Sequence, residues 1–282
     1  MTPFELTEPR SLREAIASLD AKDPSVRPIS GGTALMLMMK AGVLRPSRLV
    51  SLGKLDLARI ETGPHGELRV GAMTPLGALE RSPPVQRGWP VIARTLRTLS
   101  NVRVRNVATV GGHLAHADPH MDLPPVLSAL GARVTIAGPA GERSVPVEEI
   151  STGYLETSLR LDELITRLEV PPLGRRSAAY LKCTTRSADD WPAVGVAVVL
   201  LLEKDFIREA GVVISAATDK PTRLAAVEEI LRGRKIEEKL LDEAAAQEVK
   251  VESDLHGSAA YKKQLIRVYL RRAFHEARAQ SR

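Results

Sequence analysis

Two glycine pairs carry the clearest chemical signal in this sequence. Gly31-Gly32 follows the stretch 26–30, which reads as a strand, and leads through Thr33, Ala34 and Leu35 into a helix-competent run ending near Lys40. Gly111-Gly112 ends the β-rich run 101–110 and leads into His113-Leu114-Ala115-His116-Ala117-Asp118-Pro119. A backbone that must approach a phosphate needs glycine, because a Cβ blocks the approach. A helix start also leaves amides unpaired, and a diphosphate can accept from them. Each pair reads either as an ordinary tight turn or as half of a phosphate cradle. Neither G-x-G-x-x-G nor G-x-x-x-x-G-K-[ST] occurs, which argues against a dinucleotide-type Rossmann site and a P-loop.

The other polar clusters point less sharply. His113, His116, Asp118 and His120 invite a metal reading, but no second ligand cluster has recognisable spacing and metal sites need three or four ligands. No metal is expected. Asp122 fits as the N-cap of a helix through Leu130. Arg103 and Arg105 either meet a phosphate or face solvent. Lys182 reads as a surface lysine on an edge strand and Trp191 as a core tryptophan. No Ser–His–Asp, Cys–His or paired-carboxylate arrangement argues for hydrolysis, and no catalytic residue is expected.

The elements that must position these residues fall into three units. A capping box at Ser11 and Glu14 starts a short helix, followed by strand 26–30, the first glycine pair, helix 33–40 and strand 48–52. The second unit begins near Ile60, with strand 68–72, helix 74–80 broken by Pro83-Pro84, helix 91–99, helix 122–130 and strands 134–137, 144–147 and 163–170. Pro171-Pro172-Leu173-Gly174 is the best boundary. The third unit has strands 179–183, 194–202 and 211–216, with a hairpin turn at 203–205, then helices 224–232, 236–248 and 259–276. The expected domains are 1–56, 57–173 and 174–282.

Composition sets the outer limits. With 44% hydrophobic residues in 282, the chain can bury a sizeable core, built from aliphatic residues because aromatics are only 3%. The formal charge of +6 comes from arginines scattered through the helices, whereas a nucleic-acid protein shows a clustered basic footprint. No nucleic-acid partner is expected. One cysteine, Cys183, excludes an internal disulfide and an iron–sulfur cluster carried by this chain alone. The N-terminus lacks a signal-peptide pattern, and the longest apolar run, 194–202, is too short to cross a bilayer. A cytoplasmic protein that is not integral to a membrane is the expectation.

Five stretches, in order along the chain, resemble the FAD-binding (medium) subunits of the molybdenum hydroxylases. They are SGGTALMLMMKAGV from Ser30, VGAMTPLGALER from Val70, NVATVGGHLAHADPHMDLPPVLSALGAR from Asn106, YLKCTTRSADDWPAVGVAVV from Tyr180 and GSAAYKKQLIRVYLRRAF from Gly257. Medium chains of aerobic carbon monoxide dehydrogenase-like enzymes resemble it most. The resemblance implies an α+β protein with a two-subdomain FAD-binding fold of the p-cresol methylhydroxylase type. A C-terminal α+β domain like that of carbon monoxide dehydrogenase flavoproteins follows it. FAD would lie between the first two subdomains, with its flavin ring reaching the third. The resemblance also implies individual roles. Gly31, Gly32, Thr33, Ala34 and Leu35 wrap the diphosphate, and Thr109, Gly111 and Gly112 form the opposing phosphate turn. Asp118 lies near the ribitol or diphosphate, and Asp122 accepts from the adenosine ribose. Ile165 and Leu168 flank the adenine, Lys182 lies near the flavin pyrimidine edge, and Trp191 lies near the isoalloxazine, where relatives carry Tyr. His113 stands where relatives have Asn.

The implied partners are a large molybdenum-cofactor subunit, a small subunit with [2Fe-2S] clusters and an external electron acceptor. Two rival readings keep the sequence but change the role: an accessory structural subunit with a vestigial flavin site, or a free-standing flavoprotein oxidoreductase.

Overall fold

The computed structural model describes residues 2–281. Met1 and Arg282, the outer ends of the expected first and third domains, lie outside them. The first unit runs β1 (Glu5–Thr7), α1 (Leu12–Ala17), β2 (Val26–Ile29), α2 (Leu35–Lys40) and β3 (Arg48–Ser51). Its strands are parallel in the order β1-β3-β2. The Ser11 hydroxyl accepts from the Glu14 amide, so α1 starts where the capping signal places it.

The second unit contains β4 (Ile60–Thr62), β5 (Leu68–Gly71), α3 (Leu76–Arg81), α4 (Pro83–Gly88), α5 (Pro90–Arg97), α6 (Val102–Arg105), α7 (Val110–His116) and α8 (Leu123–Leu130). It continues with β6 (Arg133–Gly138), β7 (Gly141–Pro146), the small ribbon β8 (Ser151–Gly153) and β9 (Glu156–Thr157), and β10 (Leu164–Val170). The main sheet, β4-β5-β10-β6-β7, is antiparallel throughout. One local expectation holds here and another fails. Pro83-Pro84 ends α3 but also starts α4, because first-turn proline lacks only an amide that has no helical partner. The β-rich run 101–110 forms no strand: 102–105 is helical, 106–107 a turn, and Thr109 makes a single bridge to Pro75 before α7 begins. The Asn101 side chain accepts from the amides of Arg103 and Val104, and the Thr109 hydroxyl accepts from Gly112. These caps outweigh the strand preference of Val102, Val104, Val107 and Val110.

The third unit pairs β11 (Ser177–Cys183), β12 (Val194–Glu203), β13 (Phe206–Ser215) and β14 (Thr222–Arg223) as an antiparallel sheet in that order. Helices α9 (Ala225–Leu231), α10 (Glu238–Ala245) and α11 (Ala259–Ala279) follow. Side chains alternate across a strand, and here both faces are covered. Ala178, Ala197, Val199 and Val213 join the core of the second unit, where α8 packs on β12 and β13. Ala179, Val196, Val198 and Ile214 face α11 and its neighbours. That double burial explains why 194–202 is apolar without alternation.

Candidate functional site

The two glycine bends, some eighty residues apart in sequence, meet. Gly31 lies against the carbonyl of Val107, and a Cβ there would come 2.9 Å from the Ala108 Cα. Gly112 lies against the Ser30 hydroxyl, which accepts from the Thr109 hydroxyl at 3.1 Å. No packed side chain separates the bends; glycine at both positions is what lets the backbones touch.

The bends do different work. Among the described residues, the amides of Gly31, Gly32, Thr33, Ala34 and Leu35 find no acceptor within the protein. Gly32 sits at φ +68°, a left-handed conformation that suits glycine. Five successive unpartnered N–H groups form a cradle for an anionic group. At the second bend the amides are engaged. Val110 donates to Thr74 (3.0 Å), Gly111 to Ala72 (2.8 Å) and His113 to Thr109 (2.9 Å), while Gly112 donates to the Thr109 hydroxyl at 3.1 Å. The expected opposing phosphate turn thus has its amides engaged within the protein, and Thr109, Gly111 and Gly112 shape and support the first bend. Gly111 is required because a Cβ would come 2.6 Å from the Ala72 Cβ.

His113, in the first turns of α7, is buried, and its Nε2 has no partner in the protein. Burial pushes its pKa down to about 4, helped by repulsion from His116 and opposed by Asp118. A buried ring nitrogen without a partner costs about 1–3 kcal/mol. The amide cradle is the feature that fits an FAD diphosphate between the first two units.

Residues 117–122 clasp the third unit. Pro119 accepts from the Ala216 amide at 2.9 Å. The Asp122 carboxylate takes the Tyr180 hydroxyl at 2.6 Å and the Lys182 ammonium at 2.9 Å. Asp122 stands at the N-cap position of α8, as expected, but its side chain makes no cap hydrogen bond and turns to the third unit instead. Burial raises the Asp122 pKa, while Lys182 and Tyr180 oppose the rise. Lys182 is not a surface lysine: its other donors reach the carbonyls of Thr98 (2.8 Å) and Asp190 (3.0 Å). It lies in a cleft of about 260 Å³ also lined by Thr95, Thr98, Tyr180 and Thr184. Trp191 is not a core tryptophan: it is 50% exposed and stacks on His120, ring centroids 5.5 Å apart. Asp118 is buried and accepts from the backbone amide of His120 at 2.8 Å.

Other expected positions are placed elsewhere. Leu168 is fully buried and Ile165 nearly so, both within the core of the second unit. Leu168 thus has no surface to offer an adenine, which corrects that expectation. Arg105 does not face solvent; it pairs with Glu80 at 2.9 Å and donates to the carbonyls of Leu99 and Ser100. Among the described residues no group of three or more His, Cys, Asp and Glu could hold a metal ion. Tyr180, His120 and Asp254 were missed. For Tyr180 a signal existed, since residues two apart on a strand share a face and Lys182 was already singled out.

Residues 2–173 match the family described as the FAD binding domain in molybdopterin dehydrogenase, and residues 179–277 match the CO dehydrogenase flavoprotein C-terminal domain. The chain belongs to the molybdopterin dehydrogenase medium-chain family. It is therefore an FAD-binding electron-transfer subunit of a molybdenum hydroxylase-like complex. It is 31% identical to the glyceraldehyde dehydrogenase medium chain of Sulfolobus acidocaldarius, over 97% of this chain and 98% of that one. It is also 31% identical to the carbon monoxide dehydrogenase medium chain of Afipia carboxidovorans, over 99% and 98%. The solved reconstituted CO dehydrogenase from Oligotropha carboxidovorans superposes with a TM-score of 0.94 at 29% identity, covering 99% of both chains. Quinoline 2-oxidoreductase from Pseudomonas putida 86 gives 0.92 at 28%, covering 99% and 98%. The α+β architecture, an FAD-binding region followed by a flavoprotein C-terminal domain, is the one these structures share.

Proposed function

We propose that this chain is the flavin subunit of a carbon monoxide dehydrogenase-like molybdenum enzyme, drawing electrons from the [2Fe-2S] clusters of a small subunit and delivering them to an external acceptor. A large subunit with the molybdenum cofactor carries out substrate oxidation. The observation that carries the reading is the row of unpartnered amides from Gly31 to Leu35, set against the Gly112 bend. Bound FAD would supply one- and two-electron redox chemistry. This chain's residues bind and orient it.

The cradle from Gly31 to Leu35 holds the diphosphate, its fixed N–H dipoles facing the negative charge. Thr109 and Gly112 buttress that loop, and Asp118 braces the loop that follows α7. Asp122 is engaged by Tyr180 and Lys182 and holds both side chains at the domain seam. Lys182 brings a fixed positive charge to the seam, which favours negative charge on a reduced ring nearby. Trp191 offers an exposed aromatic face for the isoalloxazine. The single cysteine accords with clusters carried by another subunit and with a reducing, cytoplasmic location.

Gly32→Asp isolates the ligand effect. A Cβ at this position would meet only the side chains of Ile29 and Met36, at 3.2 and 3.4 Å, while its carboxylate would sit where a diphosphate is to bind. FAD content per chain, measured by absorbance on the purified complex, should fall at least tenfold while the thermal midpoint moves by a few degrees. Unchanged FAD content would overturn the assignment. A wild-type complex carrying iron–sulfur clusters but no flavin would instead favour the accessory role.

A further inference from the structure

The imidazole of His120 lies in the seam between the second and third units with a carboxylate on each side. Nδ1 is 2.9 Å from Asp118 Oδ1, and Nε2 is 3.0 Å from Asp254 Oδ2. An ionised carboxylate only accepts, and a neutral imidazole has one N–H, so both contacts are hydrogen bonds only when the ring carries two protons. The charges of the cluster balance. Lys262, itself buried, donates to Asp254 at 2.6 Å and to the Ala216 carbonyl at 2.5 Å. Two carboxylates thus face two cations. Burial pushes the His120 pKa down, but hydrogen bonds and charge from Asp118 and Asp254 outweigh it and hold it above the usual value. His116 adds positive charge beside Asp118 when protonated. The His256 ring completes the surroundings, tilted 51° with its centroid 5.1 Å away.

Against the open side of this ring lies Trp191, its indole inclined only 12° to the imidazole. Trp191 belongs to the 184–193 connection between β11 and β12. The base of that connection is fixed by Ala193 donating to the Cys183 carbonyl and by Lys182 donating to Asp190. Its tip carries a half-exposed indole that burial alone does not hold. A cation against an aromatic face supplies the missing attraction.

We propose that His120, clamped as an imidazolium between Asp118 and Asp254, is the positioning residue for Trp191, fixing the indole as a platform for the flavin ring at the domain seam. The clamp rests on the geometry alone; the platform rests on the flavin reading above. His120 is a positioning residue, not a catalytic one. It acts through Trp191 and by joining the loop after α7 to the segment before α11.

The test uses the full chain, first stripped of FAD. The emission of Trp191 is obtained as the difference between each protein and its Trp191→Phe counterpart, which removes the contribution of Trp89. An imidazolium stacked on indole quenches it, so emission should be low in mild acid. It should rise at least twofold through a midpoint above the ordinary histidine value of about 6.5. His120→Gln should abolish the step. Asp254→Asn, which leaves the ring in place, should move the midpoint down. A flat profile, or a step that survives His120→Gln, would overturn the clamp. With FAD restored, His120→Gln should retain flavin stoichiometry but alter the visible circular dichroism in the same direction as Trp191→Phe. An altered spectrum in Trp191→Phe but not in His120→Gln would overturn the positioning role. An unchanged spectrum in both would overturn the platform. Failure of the wild-type chain to take up FAD would sink the flavin reading, while the FAD-free titration still decides the clamp.

Discussion

Lys182, on the edge strand of the third sheet, reaches across the domain seam to the carboxylate of Asp122 at 2.9 Å, and both side chains are almost fully removed from water. Removing one partner of a buried pair leaves the other charge uncompensated, which costs about 3–5 kcal/mol. Lys182→Ala should therefore lower the unfolding free energy by about that amount. Tyr180→Phe, which removes one hydrogen bond to the same carboxylate, should cost about 1–2 kcal/mol. Urea denaturation of the purified chain measures both. A loss below about 1 kcal/mol for Lys182→Ala would mean the pair is solvated in solution.

The two glycine bends should respond differently to a methyl group. Gly111→Ala drives a Cβ into Ala72, whose backbone oxygen also accepts the Gly111 amide. Overpacking of this kind costs about 1–3 kcal/mol. The nearest atoms to a Gly32→Ala Cβ are side chains, Ile29 at 3.2 Å and Met36 at 3.4 Å, and the left-handed φ opposes it by about 1–2 kcal/mol. The expected pattern is poor folding for the first variant and a folded chain with weakened FAD retention for the second. Soluble yield and flavin content separate them.

His113 makes the second unit acid-sensitive. Its folded pKa is about 4, against 6.5 for an ordinary histidine. Between those values the unfolded chain binds a proton that the folded chain refuses, so stability falls as the pH drops from 6.5 towards 4, by roughly 3 kcal/mol over the window. His120 behaves in the opposite sense. Its raised pKa gives stability that is fully present below the ordinary histidine value and lost as pH rises through the folded one. Replacing His113 by Leu should flatten the acid side of the stability–pH curve and leave the alkaline side unchanged. An acid limb as steep as wild type would show that His113 is not the group responsible.

Arg105 anchors the chain just before α7 through Glu80 and two carbonyls. Arg105→Ala should destabilise by about 2–3 kcal/mol while the FAD affinity of the folded fraction stays within twofold. Arg103, exposed on α6, should tolerate Ala with little change in stability. A selective tenfold loss of FAD affinity in Arg105→Ala would restore the phosphate-contact alternative.

The sequence by itself determined the local units. The Ser11–Glu14 cap, the glycine pair after β2, the prolines at 171–172 and the hairpin at Lys204 are read within a few residues of where they act, because caps and turns depend on neighbours in the chain. Apolar patterning likewise marked the third sheet, and the motif stretches from Ser30 to Phe274 marked the family. Partnership was decided only in three dimensions. Asp122 could be read as a cap and Lys182 as a surface charge because each one's real partner lies about sixty residues away. The same holds for Arg105, which short-range pattern left between phosphate and solvent. It holds again for Trp191, whose stacking partner comes from another unit. A buried charge takes whichever opposite charge the packing of sheets and helices brings within hydrogen-bond reach, and that distance is a property of the tertiary fold, not of the spacing along the chain.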